Sequence, residues 1–114
     1  MAIKKVTKKK HGDIAGETNI TCRAAVRWFA EKMEAMLAAN DDKGGWEDCP
    51  LEFLRGKLEE EYQEVIEELD EILEKKQSKT KITIRDKRSL IWECADLANI
   101  AMMLADLHAH RHGR

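Results

Sequence analysis

Residues 90–105 read LIWECADLANIAMMLA, and this stretch decides the fold because it is the most apolar segment of the chain. Its only charged residues are Glu93 and Asp96, three positions apart. At about 100° per residue, such a pair lies on one face of an α-helix, one turn apart. Apolar residues cover nearly all of the remaining circumference, which is typical of a buried helix. We therefore predict a core helix that carries two buried carboxylates.

Two carboxylates in a buried helix need a partner. Removing water from an ion costs several kcal/mol even after relaxation, and buried charges are normally paired or bound to metal. No basic residue lies within residues 90–105. One possible partner is a divalent cation held with oxygen ligands from elsewhere in the chain. The other is a basic side chain from another helix, for which the candidates are Arg23, Arg27 and Arg55.

A second acidic segment offers such oxygen ligands. Residues 58–73 read LEEEYQEVIEELDEIL, and their apolar members form one stripe at the helical period. Glu61 and Glu64 project beside one edge of that stripe. Together with Glu93 and Asp96 they would give four carboxylates from two helices, a hard-oxygen site suited to Mg²⁺ or Mn²⁺. The plainer interpretation, a solvated acidic helix face, is typical of Glu-rich helices and stays open.

The two acidic motifs resemble those of a known family. Glu60-Glu61-Tyr62-Gln63-Glu64, followed by Glu93-Cys94-Ala95-Asp96, is similar to the EExxE…ExxD signature of the MazG-like, all-α nucleoside triphosphate pyrophosphohydrolases. Residues 40–61 (NDDKGGWEDCPLEFLRGKLEEE) and 96–106 (DLANIAMMLAD) strengthen the resemblance. They are similar in particular to small phage-type members that act on purine deoxynucleoside triphosphates. The resemblance covers residues 21–107.

This resemblance implies a reaction and a set of site residues. In the family, four carboxylates hold Mg²⁺ ions that bind the triphosphate, and water attacks the α-phosphorus to give a nucleoside monophosphate and pyrophosphate. Those catalytic and metal-binding positions match Glu61, Glu64, Glu93 and Asp96. The substrate-binding positions match Asn99, and, through a KGxW-like element, Lys43 and Trp46. The implied cofactor is Mg²⁺, with Mn²⁺ as a substitute, and the preferred base is left open by the residues themselves.

The residue types suit this chemistry. Displacement at a triphosphate needs positive charge against the phosphate oxygens and an oriented water, and metal ions supply both. The chain lacks the GxxxxGK[ST] loop of P-loop enzymes. It also lacks the Glu-x-x-His motif of di-iron and di-manganese bundles, which disfavours that class. A non-enzymatic acidic bundle that serves assembly or partner binding stays open, although it leaves Glu93 and Asp96 unexplained.

The composition limits the class of protein. Its 114 residues suit one domain, and 43% hydrophobic with 37% charged residues is typical of a soluble helical protein. The net charge of -2 argues against stable nucleic-acid binding, and the basic run at residues 4–10 is interpreted as a solvated tail. Residues 90–105 are too short and too acidic to span a membrane, and no secretory signal is visible. Three cysteines without a CxxC motif suggest reduced thiols and a cytoplasmic location.

We therefore expect an all-α helical bundle of the MazG-like type. Residues 1–17 are assigned to a basic flexible segment, 18–108 to a single helical domain and 109–114 to a polar tail. Three helices are predicted at about residues 20–39, 50–76 and 83–108, the last opened by the capping box Thr83-x-x-Asp86. One helix that is apolar all round leaves too much face for a monomer. A homo-oligomer, a dimer or a tetramer, should complete a four-helix bundle.

Overall fold

The computed structural model describes residues 21–110, and it confirms the predicted all-α class. Helix α1 spans Ala24–Ala39, α2 spans Leu51–Gln77 and α3 spans Ile84–His110, with a short 3₁₀ turn at Asp41–Lys43. The described residues include no β-strand. Among them, no helix is both long and apolar enough to cross a bilayer. The predicted segment 1–17 and the tail from residue 111 onward lie outside the described residues.

The helix ends lie close to the predicted positions. Residues 21–23 are not helical, and α1 begins after Arg23, whose backbone is extended (φ −61°, ψ 150°). Helix α2 begins after Pro50, which is also extended (φ −62°, ψ 142°) and precedes the helix instead of opening it. Proline suits this position because its ring fixes φ and it has no N–H to satisfy. Helix α3 continues to His110, past the predicted end at residue 108 and into the segment assigned to the tail.

The capping box at the start of α3 forms as predicted. The Thr83 N–H donates to Asp86 Oδ2 at 2.8 Å, and the Asp86 N–H donates to Thr83 Oγ1 at 3.1 Å. Two backbone donors that a helix start leaves free are thereby satisfied. From the end of α2, Lys75 Nζ donates to both Asp86 oxygens at 2.9 and 2.8 Å. The lysine first, and then the Thr83 backbone, lowers the pKa of Asp86 to about 2. This Lys75–Asp86 clasp closes the α2–α3 hairpin.

Helix α3 is the central element of the fold. It packs against both α1 and α2, whereas α1 and α2 do not pack on each other within residues 21–110. The Lys32 ammonium of α1 lies 5.5 Å from the ring centre of Trp28 and 5.9 Å from that of Trp92 in α3. Such cation–π contacts add to the attachment of the two helices. Asn99 of α3 also donates a 3.0 Å hydrogen bond to the carbonyl of Met33 in α1.

Helix α3 is less buried in one chain than the sequence predicts. Ala95 and Asn99 are its only fully buried residues, and most of its other residues between 90 and 105 are half-buried. Leu54 of α2 is the other buried apolar residue in the described part of the chain. Two neighbouring helices cover only two sides of a third helix. The remaining apolar surface of α3 is therefore open unless another molecule covers it.

The predicted apolar stripe of α2 is present, and it divides into two adjacent faces that differ in exposure. One face is half-buried and consists of Leu58, Val65 and Ile72. The other is largely exposed, with Tyr62, Leu69 and Leu73 at 56%, 37% and 49% of full exposure. Together with the half-buried Ile66, these exposed residues follow the alternating four- and three-residue spacing of a coiled-coil contact. We refer to Tyr62, Ile66, Leu69 and Leu73 as the α2 seam.

Candidate functional site

Three of the predicted carboxylates meet between α2 and α3. Oxygen atoms of Glu61, Glu64 and Glu93 all lie within 4.8 Å of one another. Glu61 and Glu64 are one turn apart on α2, so both leave the same side of that helix, and Glu93 approaches from α3. We refer to these three residues as the acidic group. No other cluster of three such side chains with this spacing occurs within residues 21–110.

The acidic group contains two oxygens without a hydrogen-bond donor. Glu61 Oε2 and Glu93 Oε2 are buried and receive no hydrogen bond from the described residues. The Glu64 carboxylate brings an oxygen within 4.8 Å of both Glu61 and Glu93. A carboxylate is an acceptor unless it is protonated, so such contacts are favourable only with a proton or a cation between the oxygens. The arrangement fits a hard divalent cation, which prefers carboxylate oxygens.

The crowding of negative charge changes the acidity of the group. Burial first, and then the charge of Glu64, raises the pKa of Glu61 to about 7. Burial first, and then the contact with Glu64, raises the pKa of Glu93 to about 7. Burial and the Glu64 charge also raise the pKa of Asp96. Without a cation, burial and the repulsion between these carboxylates therefore favour their protonated forms.

Arginine partners for the buried carboxylates are not observed. The ion pairs within residues 21–110 include none to Glu93 or Asp96. Arg55, one of the three arginine candidates, instead pairs with Glu59 on the surface of α2 at 2.9 Å. Within the described part of the chain, no basic side chain therefore forms an ion pair with Glu93 or Asp96.

Asp96 lies beside the acidic group and not within it. The sequence predicts four converging carboxylates, but Asp96 is not part of the 4.8 Å cluster. Asp96 lies one turn beyond Glu93, and the aspartate side chain is one methylene shorter than that of glutamate, so its carboxylate does not reach the cluster. Its charge still raises the pKa of both Glu61 and Glu93. With Glu61, Asp96 lines a cavity of about 370 Å³.

The cavity beside Asp96 is one half of a longer cleft. This acidic half is also lined by Lys43, Lys57 and Asn99. A second cavity, of about 300 Å³, adjoins it and shares five lining residues with it: Leu37, Asn40, Lys57, Ile100 and Met103. The side chains that belong to this apolar half alone include Trp46, Phe53 and Leu54. The cleft thus combines charged and apolar walls, as sites for small molecules do.

The three predicted substrate-binding residues all line this cleft, in different halves. Lys43 and Asn99 line the acidic half and Trp46 lines the apolar half. Between Lys43 and Trp46 the chain turns at Gly44, whose φ of 85° is a left-handed conformation that glycine adopts without strain. Asn99 is only 4% exposed, and its Oδ1 has no hydrogen-bond partner among the described residues. Its amide nitrogen is used by Met33, so Oδ1 is its free polar atom.

Two residues of the cleft region have no role in the sequence prediction. Lys57 lines both halves, and its position four residues before Glu61, on the same helix face, is the signal that could have identified it. Its Nζ lies 3.2 Å from Glu60 Oε2 at the surface. Asp106 accepts a 3.0 Å hydrogen bond from the Trp46 indole. Asp96, Asn99, Met103 and Asp106 succeed one another in steps of three, four and three residues. They therefore lie on one face of α3.

Comparisons with models of known protein families, with curated proteins and with solved structures find no match to this chain.

Proposed function

We propose that this protein is a metal-dependent nucleoside triphosphate pyrophosphohydrolase. It would convert a nucleoside or deoxynucleoside triphosphate and water to the monophosphate and pyrophosphate. The observation that carries the proposal is the acidic group, in which Glu61 and Glu93 each hold a buried oxygen without a donor. The resemblance of the two acidic motifs to the MazG-like signature supplies the reaction and favours purine deoxynucleotides.

The acidic group is the proposed metal site. Glu61, Glu64 and Glu93 would hold Mg²⁺ or Mn²⁺, with Asp96 as a fourth carboxylate at the side. When bound, such an ion supplies positive charge against phosphate oxygens and lowers the pKa of a bound water. Asp96 lines the cleft, so it is available to orient a water by accepting a hydrogen bond. That water would form a bond to the α-phosphorus as it loses a proton to solvent, and pyrophosphate would leave with the electrons of the broken bridging P–O bond.

The walls of the cleft suit the rest of a nucleotide. Lys43 and Lys57 give the acidic half positive charge for phosphate oxygens. The Lys57–Glu60 pair is exposed, and such pairs are weak, so the ammonium can turn to a phosphate at small cost. In the apolar half, the Trp46 ring offers a surface on which a base can stack.

We also propose that the protein is a homo-oligomer, a dimer or a tetramer. The described residues contain only two fully buried apolar side chains, whereas the large side chains of Phe53 and Ile84 are 55% and 73% exposed. The α2 seam has the spacing with which helices pack on one another. A second copy that covers this seam would complete a four-helix bundle and enlarge the core.

A substrate screen tests the enzymatic proposal directly. The common ribo- and deoxyribonucleoside triphosphates are incubated with the protein and Mg²⁺ or Mn²⁺, and the products are separated so that pyrophosphate and orthophosphate are resolved. We expect monophosphate and pyrophosphate in equal amounts, with dATP and dGTP among the best substrates, and no turnover with a chelator present. Release of orthophosphate, or no turnover with any triphosphate, would reject the proposal.

A second candidate function is a non-enzymatic assembly or partner-binding module. The exposed α2 seam favours it, because an apolar helix face is a surface for another helix. It does not account for the donor-free oxygens of Glu61 and Glu93. Metal-dependent release of pyrophosphate distinguishes the two, since an assembly module has no turnover to lose when a carboxylate is replaced.

A further inference from the structure

Trp46 is tied to the far end of the central helix. Its Nε1–H donates to Asp106 Oδ2 at 3.0 Å, across 60 positions of sequence, in a partly buried contact. The other carboxylate oxygen of Asp106 lies 2.9 Å from Nδ1 of the exposed His110. One carboxylate therefore links the irregular α1–α2 connection to α3. Hydrogen bonds with a charged acceptor are shorter and stronger than those between neutral groups.

We refer to the hydrogen bond between Trp46 and Asp106 as the tether. It affects the cleft because of where these two residues lie. Trp46 is a wall of the apolar half. Asp106 belongs to the helix face of α3 that also carries Asp96 and Asn99, which line the acidic half. A helix is a stiff element, so this face sets a fixed spacing between the acidic half and the indole. Without the tether, the position of the ring would depend on a connection that has only a short 3₁₀ turn.

We propose that Asp106 is a positioning residue for Trp46, which it holds as the wall against which the base of the bound nucleotide packs. The inference rests on the proposed function, since it takes the apolar half as the place of the base. Asp106 would thus influence the affinity for the nucleotide through the base and leave the chemistry at the phosphates unchanged. His110 restrains the same carboxylate from the solvent side.

Two readouts on one set of variants test this role. The first is the hydrogen-exchange rate of the Trp46 indole N–H by NMR, with the resonance assigned by its loss in Trp46→Phe. The second is the separation of KM from kcat for a triphosphate substrate. The variants are Asp106→Ala, Asp106→Asn, which keeps a side-chain oxygen acceptor, and Trp46→Phe, which keeps a ring but removes the donor. Asp70→Ala on the exposed side of α2 is the matched control.

We expect indole exchange in Asp106→Ala to be faster and KM to rise about tenfold, with kcat little changed, as for the loss of one charge-assisted hydrogen bond. Asp106→Asn should restore most of both values. Because Asp106 acts through Trp46, adding Asp106→Ala to Trp46→Phe should leave KM where Trp46→Phe alone puts it. If Asp106→Ala does not fold, Asp106→Leu, which keeps the side-chain volume and has no acceptor, takes its place in both readouts and in the double variant.

Three results would overturn the inference. They are an unchanged KM in Asp106→Ala with faster indole exchange, a loss confined to kcat, or additive effects on KM in the double variant. Failure of the proposed function looks different, because then the unaltered protein hydrolyses no triphosphate, while the exchange readout still reports whether the tether exists.

Discussion

The Asn99 side chain of α3 donates a 3.0 Å hydrogen bond to the backbone carbonyl of Met33 in α1. Asn99 is 4% exposed and lines the acidic half of the cleft. Its Oδ1 is buried and has no hydrogen-bond partner within residues 21–110. One side chain therefore attaches α1 to α3 and keeps an unused acceptor buried beside the cleft. The resemblance implies a substrate contact for Asn99, and the structure adds a contact between helices.

Replacing Asn99 should reduce stability as well as activity. Asn99→Ala removes the bond to Met33 and leaves a small cavity, so the free energy of unfolding in urea should fall by about 1–3 kcal/mol. Gln63→Ala is the control, because Gln63 is exposed and makes only a 3.4 Å surface contact with Glu67. That change should cost less than about 0.5 kcal/mol. Equal stability of Asn99→Ala and the unaltered protein would show that the bond does not hold α1 in solution.

The raised pKa values of Glu61 and Glu93 predict how stability depends on pH. Both shift from 4.5 to about 7, so between these values the folded state binds more protons than the unfolded state. The metal-free protein should therefore lose stability as pH rises from about 4.5 to 7. Mg²⁺ should reverse this loss at pH 8 and raise Tm by about 5 °C or more. Thermal unfolding at four pH values, with Mg²⁺ and with chelator, measures both effects.

A flat stability profile without metal, or a Tm at pH 8 that Mg²⁺ does not change, would contradict the expected charge crowding. The double variant Glu61→Gln, Glu93→Gln is the control. It removes both raised groups, so its profile should be flatter and its response to Mg²⁺ should be lost.

The catalytic prediction concerns Asp96. Asp96→Asn is nearly isosteric and should preserve the helix, but it removes one anionic oxygen from the cleft wall. We expect turnover of the triphosphate to drop by orders of magnitude, measured as pyrophosphate released per protein. Glu67→Gln is the control, since Glu67 is exposed on α2. Wild-type turnover in both variants, or diphosphate and orthophosphate as products, would refute the mechanism.

Lys57 should contribute to substrate binding through its charge. It lines both halves of the cleft, and only an exposed pair with Glu60 holds it. Lys57→Met keeps most of the side-chain volume, and KM should rise by about tenfold for loss of a charge-assisted phosphate contact. Lys57→Arg should retain most of the affinity. Lys87→Met, at an exposed position of α3, serves as control. A KM in Lys57→Met equal to that of the control would exclude this role.

The oligomer prediction is tested at the α2 seam. Leu69→Glu places a charge among Tyr62, Ile66 and Leu73, and an unpaired charge in an apolar contact is costly. We expect the mass in solution at micromolar protein, measured by light scattering, to fall from that of a dimer or tetramer to that of a monomer. Gln63→Glu adds the same charge outside the seam and should leave the mass unchanged. A monomeric unaltered protein would refute the oligomer outright.

The features that sequence could predict are those governed by local periodicity. The capping box of Thr83 and Asp86 and the shared face of Glu61 and Glu64 follow from spacing along one helix. The approach of Glu93 to Glu61 and Glu64 could be predicted because a buried carboxylate is normally paired or bound to metal. The separation of Asp96 from the acidic group could not, because i,i+3 spacing gives the side of a helix and not the reach of a side chain.

Contacts across long stretches of sequence were beyond prediction. The Trp46–Asp106 bond depends on how the α1–α2 connection lies on α3, and that connection has no regular period. The division of the α2 stripe into a half-buried and an exposed face is also invisible in the sequence. Both faces have the same residue types, and only the position of α3 decides which of them is covered.

The Lys75–Asp86 clasp has a consequence for the order of events during folding. It closes a hairpin whose two arms carry the whole acidic group, so those carboxylates meet through contacts between successive helices. Closing a short loop loses little chain entropy, and local contacts form fast. Trp46 lies in the α1–α2 connection, so its wall of the cleft forms only when α1 and this connection pack on the α2–α3 hairpin. We therefore expect the acidic half of the cleft to form early in folding and the apolar half to form late. The folding chain would then bring its carboxylates together before it forms the wall that packs against a base.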